Sequence, residues 1–205
     1  ISNGLLTAAK SGFTHVAYQP NTSPVIDNQS IVSFVKSKAV NAATSLHPIG
    51  AFTKNQDGID LSEMYDMQNV GAVAFGDYKK NIANANLLKI GLQYAQDFNA
   101  TIIAFCCDGL IKGKAVVHEG ITSTQLGLKG IPPLAEELIV ARNLFLLEYT
   151  GGKMHIPTIS TAKSVELIRE AKAKGLNVTC SVAVHNLVLT DNVLTDFDTR
   201  FKVNP

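Results

Sequence analysis

The side chains in this sequence that could do chemistry sit at the ends of short apolar runs. They read Gln19-Pro20-Asn21-Thr22, His47-Pro48, Gly76-Asp77-Tyr78-Lys79-Lys80, Phe105-Cys106-Cys107-Asp108, Thr158-Ile159-Ser160-Thr161 and His185-Asn186. Imidazole, thiolate and carboxylate groups at such places can hold a metal ion, or serve acid–base and nucleophilic catalysis. Their spacing argues against most of this. The histidines (His15, His47, His118, His155, His185) form no H-x-H or H-x-x-x-H, and the cysteines (Cys106, Cys107, Cys180) form no C-x-x-C. A Cys–His nucleophile built on Cys106 or Cys107 has no evident partner. Without a nearby cation to lower a thiol pKa, the cysteines read as inert small hydrophobes. Their odd number points to reduced thiols and a cytoplasmic protein. His155 alternates within an apolar run and reads as a satisfied histidine, either of the core or standing behind a ligand. Asp108 reads as a turn or cap residue. The stretch TIIAFCCDG, 101–109, is the most telling, because its apolar run reaches a tip at phenylalanine, which has no lone pair to offer.

These tips are set by a regular alternation of elements. Runs rich in β-branched or aromatic residues occur at 14–19, 40–46, 71–75, 101–106, 154–159 and 177–184, and each reads as a strand. Helical patterns lie between them. Over 84–97, Leu87, Leu88, Gly91, Tyr94 and Ala95 form one apolar stripe. Over 161–174, Ser160 or Thr161 can cap the start, Val165, Ile168 and Ala171 face inward, and Gly175 ends the helix. Segment 134–149 is a strong helix former, started by Pro132-Pro133 and stopped by Gly151-Gly152. Strands separated by helices predict a parallel α/β sheet in one domain, 1–205, either doubly wound and open or closed as a (β/α)8 barrel. In both, chemistry belongs at the carboxyl ends of the strands. Neither G-x-G-x-x-G after the first strand nor G-x-x-x-x-G-K-[ST] occurs, which removes support for nucleotide binding. A net charge of +1 with no basic run gives no attraction to nucleic acid or anionic membrane, and no apolar stretch is long enough to span a bilayer. The chain opens on Ile1 and goes straight into a helix-like GLLTAAKSG, and it stops abruptly at FKVNP, so an internal piece of a longer protein is expected.

The segments GFTHVAYQPNTSPVIDN, HEGITSTQLGLKGIPPLAEELIVARN, STAKSVELIREAKAKGLNVT and FKVNP are where the chain resembles class I dihydroorotases of the amidohydrolase superfamily. The match covers nearly the whole chain. The resemblance implies a (β/α)8 barrel holding two zinc ions, which opens dihydroorotate to carbamoyl aspartate and runs the reverse in pyrimidine synthesis. It implies a ligand set of an H-x-H on the first strand, a bridging carboxylate after the fourth, one His on each of the fifth and sixth, and an Asp on the eighth that also acts as general base. Such ligands turn zinc-bound water into hydroxide near neutral pH.

Carried over position by position, that set is lost. Tyr78 stands where the bridging Asp belongs, Phe105 where H-C-E-D has its His, and Thr158 where H-V-S-T has its His. None is a good zinc donor. Asp77, or a carboxylated Lys79, could be imagined as a substitute bridge, but one bridge without its histidines holds no metal pair. The expectation is therefore no catalytic residue and no zinc in this chain, with the bulk of Phe105 filling the space of a metal. Asn21 and Asn204 match positions that touch the substrate carboxylate. His118-Glu119-Gly120 reads as a structural turn, and His185-Asn186 stands where the family often has a His pair. Counted by resemblance, the six strands are the second to seventh of an incomplete barrel. Its two raw edges invite an oligomer or a covering helix. Three roles follow: a non-catalytic scaffold similar to the inactive homologues attached to aspartate transcarbamoylase in certain bacteria, a cyclic amidohydrolase with an altered metal set, or a sensor of a pyrimidine intermediate through Asn21 and Asn204.

Overall fold

Four of the helices in this chain start where a side-chain oxygen takes up the free N–H groups of the first turn. The computed structural model of the chain describes residues 1–201 and residue 203. Its first half runs α1 (Ser2–Lys10), β1 (His15–Tyr18), α2 (Gln29–Ser37), β2 (Ser45–Gly50), α3 (Met64–Asn69), β3 (Ala74–Phe75) and α4 (Ala85–Gln96). There follow β4 (Ile102–Ile103), α5 (Gly109–Lys112), β5 (Val117–His118), α6 (Ile121–Gln125), β6 (Gly130–Ile131), α7 (Leu134–Thr150), β7 (Met154–Ile156), α8 (Ala162–Ala173) and β8 (Val178–Cys180). Asn28, Asn84, Asp108 and Thr161 cap α2, α4, α5 and α8 through their side chains. Gly151 and Gly175, at φ 74° and 85°, end α7 and α8 in the left-handed region that glycine adopts freely.

Six strands form one parallel sheet in the order β1-β2-β3-β4-β7-β8. The sheet is open, with β1 and β8 at its edges. Strand alternation divides its faces. Phe75, Ile102, Met154, Ile156 and Val178 pack with Leu88 and Leu92 of α4, Val140 and Leu147 of α7, and Ile168 of α8 in the main core. The other face carries His15 hydrogen bonded to His47 at 2.8 Å, and His155 hydrogen bonded to Thr179 at 2.8 Å. α4 presses on the core through Gly91, where a Cβ would collide with the fully buried Phe52 ring.

The expected layout changes in two places. The strand expected at 40–46 is β2 at Ser45–Gly50, and 38–43 are the turn after α2, with Asn41 at φ 65°. His47-Pro48 is consequently inside the strand and not at its tip, which falls at 51–53. The second change lies between β4 and α7, where β5 and β6 pair in parallel as a separate two-stranded sheet. This excursion is built by the HEG…LG…GIP residues. Glu119 N–H donates to Ile131 C=O, Gly120 caps α6 with Ser123, and Gly130 leaves room for the Glu119 backbone. His118 thus ends β5, and Glu119-Gly120 form the bend that leads into α6.

Candidate functional site

The carboxyl ends of β3, β4 and β7 are neighbours in the sheet, and they carry Tyr78, Phe105 and Thr158. Three positions far apart in sequence therefore share one edge of the fold. Phe105 is 8% exposed and, by alternation with the core residues Ala104 and Cys106, turns to the face opposite the helices. Tyr78 and Thr158 adopt φ 56° and 50°, a left-handed conformation uncommon for non-glycine residues and often found where a fold presents functional side chains. Tyr78 is exposed, with Lys79 Nζ 5.8 Å from its ring centroid. The Thr158 N–H donates to Ser181 Oγ at 3.3 Å.

The donor chemistry at these tips does not fit a zinc pair. Phenylalanine offers nothing, and the neutral hydroxyls of Tyr78 and Thr158 are poor zinc donors beside a carboxylate or an imidazole. Asp77 is fully occupied elsewhere. One of its carboxylate oxygens accepts from Phe52 N–H at 2.9 Å and Thr53 N–H at 3.0 Å, and the other from the Thr53 hydroxyl at 2.6 Å. It ties the tip of β2 to that of β3. Burial raises its pKa, against the lowering influence of those hydrogen bonds and of Lys80. Among the described residues, no three His, Cys, Asp or Glu side chains converge as a metal-binding group.

All three tips are held by one helix. At the start of α7, Ala135 C=O accepts from Asp108 N–H at 2.7 Å, fixing the turn after β4. Glu136 then reaches the turn after β7, accepting from the N–H and hydroxyl groups of both Ser160 and Thr161, at 2.6 to 3.3 Å. Arg142 donates to Ile82 C=O at 2.8 Å, Ala83 C=O at 3.0 Å and Asn81 Oδ1 at 3.2 Å, pinning the loop after β3. Asn143 donates to Cys106 Sγ at 3.4 Å. Ala135, Glu136, Arg142 and Asn143 are thus a clamp on the strand tips, a role not read from the sequence. Its only local signals were two acids in the first turn of a helix and an arginine on its flank.

The remaining candidates separate. His155 is satisfied by two hydroxyls, Thr179 at 2.8 Å and Ser181 at 3.2 Å, and burial lowers its pKa, so it is neutral at pH 7. Asp108 caps α5 by accepting from Leu110 and Ile111 N–H. Asn21 lies in the turn after β1, exposed, its side chain without a hydrogen bond among the described residues. Asn204 lies outside the described residues. His185-Asn186 sits in a 3₁₀ turn, Val184–Leu187, beyond the end of β8. Burial pushes the Cys106 thiol up to about 12 and also raises Cys107. Under native conditions at pH 8, iodoacetamide should alkylate the part-exposed Cys107 and Cys180 well before Cys106. Mass spectrometry over a time course checks this, and equal rates would mean that the β4 tip is open.

Parallel strands with helices packed on one face, and with the candidate positions at their carboxyl ends, are those of an incomplete (β/α)8 barrel. Solved structures with this fold include the L-hydantoinase (dihydropyrimidinase) of Arthrobacter aurescens, with a TM-score of 0.79 over 98% of this chain and 46% of that one, at 19% identity. The dihydropyrimidinase of Brevibacillus agri matches with a TM-score of 0.67 over 94% of this chain and 44% of that one, at 21% identity. The dihydro-orotase-like family model matches residues 1–164. The chain belongs to that family. Relatives named dihydroorotase include those of Pelotomaculum thermopropionicum, 49% identical over 205 residues, and Acetivibrio thermocellus, 44% identical over 206 residues. Each match takes in all of this chain and 48% of the relative, so the chain spans about half their length. No helix among the described residues is long and apolar enough to cross a membrane.

Proposed function

We propose that this chain is the barrel core of a dihydroorotase-like protein of pyrimidine biosynthesis that has lost zinc and hydrolase activity and serves as a structural partner, for example of aspartate transcarbamoylase. One observation carries the reading. Three adjacent strand tips bear Tyr78, Phe105 and Thr158 in place of metal donors, while Ala135, Glu136, Arg142 and Asn143 still hold those tips in position. A frame kept in order around an emptied set of donors supports a role for shape. The competing reading is an active dihydroorotase or cyclic amidohydrolase with an altered metal site in the full-length protein, the relatives named dihydroorotase being up to 49% identical among those cited. The unengaged Asn21 side chain at the β1 tip would suit contact with an anionic pyrimidine intermediate, with Asn204 as its companion. A single-domain organisation of residues 1–205 belongs to the same proposal.

The test is reconstruction in the full-length protein. The parent should bind no stoichiometric zinc and should not open dihydroorotate. The triple variant Tyr78→Asp, Phe105→His, Thr158→His should take up zinc by elemental analysis, even if turnover stays low because the groups that orient the new ligands are not in place. A parent that hydrolyses dihydroorotate with Phe105 in place would overturn the proposal. A folded triple variant that gains no zinc, with flanking ligands present, would show that the three positions are not the ligand positions.

A further inference from the structure

On the sheet face opposite the helices, the ends of β7 and β8 gather an imidazole and several hydroxyls. His155 and Thr179 are register partners, and alternation beyond β8 brings Ser181 to the same face as Thr179. His155 Nδ1 lies 2.8 Å from Thr179 Oγ1, and Nε2 lies 3.2 Å from Ser181 Oγ. The Thr158 N–H donates to the same Oγ at 3.3 Å. The tautomer with its proton on Nδ1 satisfies all of these groups at once. Nδ1–H donates to Thr179, the Ser181 hydroxyl donates to Nε2, and the Thr158 N–H fills a lone pair of Ser181. The imidazole is half-buried and the serine is exposed. A nucleophile open to solvent, a base within hydrogen-bond reach and a third group orienting that base are the parts needed for attack on a carbonyl. They stand at the carboxyl ends of parallel strands, where a barrel presents its reacting groups.

We propose that Ser181 and His155 are a zinc-independent nucleophile and general base, which take the acyl group of a small activated ester. Ser181 Oγ attacks the ester carbonyl while its proton passes to His155 Nε2. The bond between the carbonyl carbon and the alcohol oxygen then breaks, the alcohol leaves with that proton, and the acyl group stays on Ser181 as a new ester. Water attacks this ester, gives a proton to the same imidazole, and releases the acid as the serine takes the proton back. Thr179 is a positioning residue, holding the ring so that Nε2 faces Ser181. The Val182 N–H, directly after the nucleophile, has no acceptor among the described residues and is free to receive the developing oxyanion. Burial lowers the pKa of His155, which keeps the base unprotonated at pH 7. Ile103, the register partner of His155 on β4, and the Phe105 ring make that side of the face apolar, which suits an uncharged acyl group. This chemistry is separate from zinc-dependent ring opening and does not rest on whether that is lost.

The probes are p-nitrophenyl acetate and a fluorophosphonate, used on the full-length protein. The ester should give a stoichiometric burst of nitrophenolate, and the fluorophosphonate should label the peptide that carries Ser181. Ser181→Ala should abolish both and leave the circular dichroism unchanged, since the side chain is exposed. His155→Gln should slow labelling by about 100-fold, the usual loss with a general base. Thr179→Val should also slow it, and Thr179→Ser should restore it, a rescue that depends on the hydroxyl. A zinc chelator should change nothing. Absence of label on Ser181, labelling that keeps its rate in folded His155→Gln and Thr179→Val, or a reaction stopped by the chelator would overturn the proposal. Zinc content and dihydroorotate opening, measured on the same samples, report on the scaffold role independently.

Discussion

Replacing Asp77 with alanine should destabilise the fold by about 3–5 kcal/mol, since three hydrogen bonds go and two buried N–H groups lose their acceptor at about 1–3 kcal/mol each. Phe52 and Thr53 are completely buried, so water cannot easily replace the carboxylate. For a chain of this size the melting temperature should fall by about 10 °C. Asp77→Asn keeps one acceptor oxygen for both N–H groups and should cost about 1 kcal/mol. The two variants also separate hydrogen bonding from charge. The folded-state pKa of Asp77 is raised by burial, so the native state holds this proton more tightly than the unfolded chain does. The stability from this group is fully present below the unfolded value of 3.8 and declines as pH rises through the higher folded value. The asparagine variant should therefore look worst beside the parent in acid and draw closer to it towards neutral pH. Denaturant melts at several pH values would show this, and a gap that widens with pH would contradict the sign.

Removing the Glu136 carboxylate should be the second large effect. Glu136→Ala leaves the Ser160 and Thr161 N–H groups at the start of α8 without their charged acceptor and should cost about 2–3 kcal/mol, given the strength of charge-assisted hydrogen bonds. The loss should also be local. Hydrogen exchange should accelerate at Ser160, Thr161 and the first turn of α8 before it does in β7. Glu136→Gln retains an acceptor and should fall between parent and alanine. Unchanged exchange at 160–161 would mean that the clamp does not order that turn.

The sequence made the frame legible where a long period or a cap was available. Helices at 84–97, 134–149 and 161–174 match α4, α7 and α8 to within a residue or two, because a stripe over ten or more residues and a stop at glycine are strong signals. β2 was harder. Pro48 inside it argues against a strand, while Val40-Asn41-Ala42-Ala43 imitates one without its hydrogen bonds. β5 and β6 are two residues each, too short to show any alternation. The site divides in the same way. Tyr78, Phe105 and Thr158 could be placed by motif, each beside its own strand. Glu136, Arg142 and Asn143 could not, because their partners lie 24 to 61 residues away and pairing across such spans leaves no local pattern.

α7 touches the ends of β3, β4 and β7 from its inner side and offers an apolar stripe on its outer side. Loops that would otherwise fluctuate independently are thereby yoked into one opening unit, whose excursions require the helix itself to shift. Binding outside and order inside then become linked equilibria. A partner that grips the outer face of α7 more tightly in its seated position than in a shifted one narrows the motions of three distant turns by that difference in affinity, and disordering those turns weakens the grip by the same free energy. The helix is a lever with both ends loaded, and pressure on either end is felt at the other.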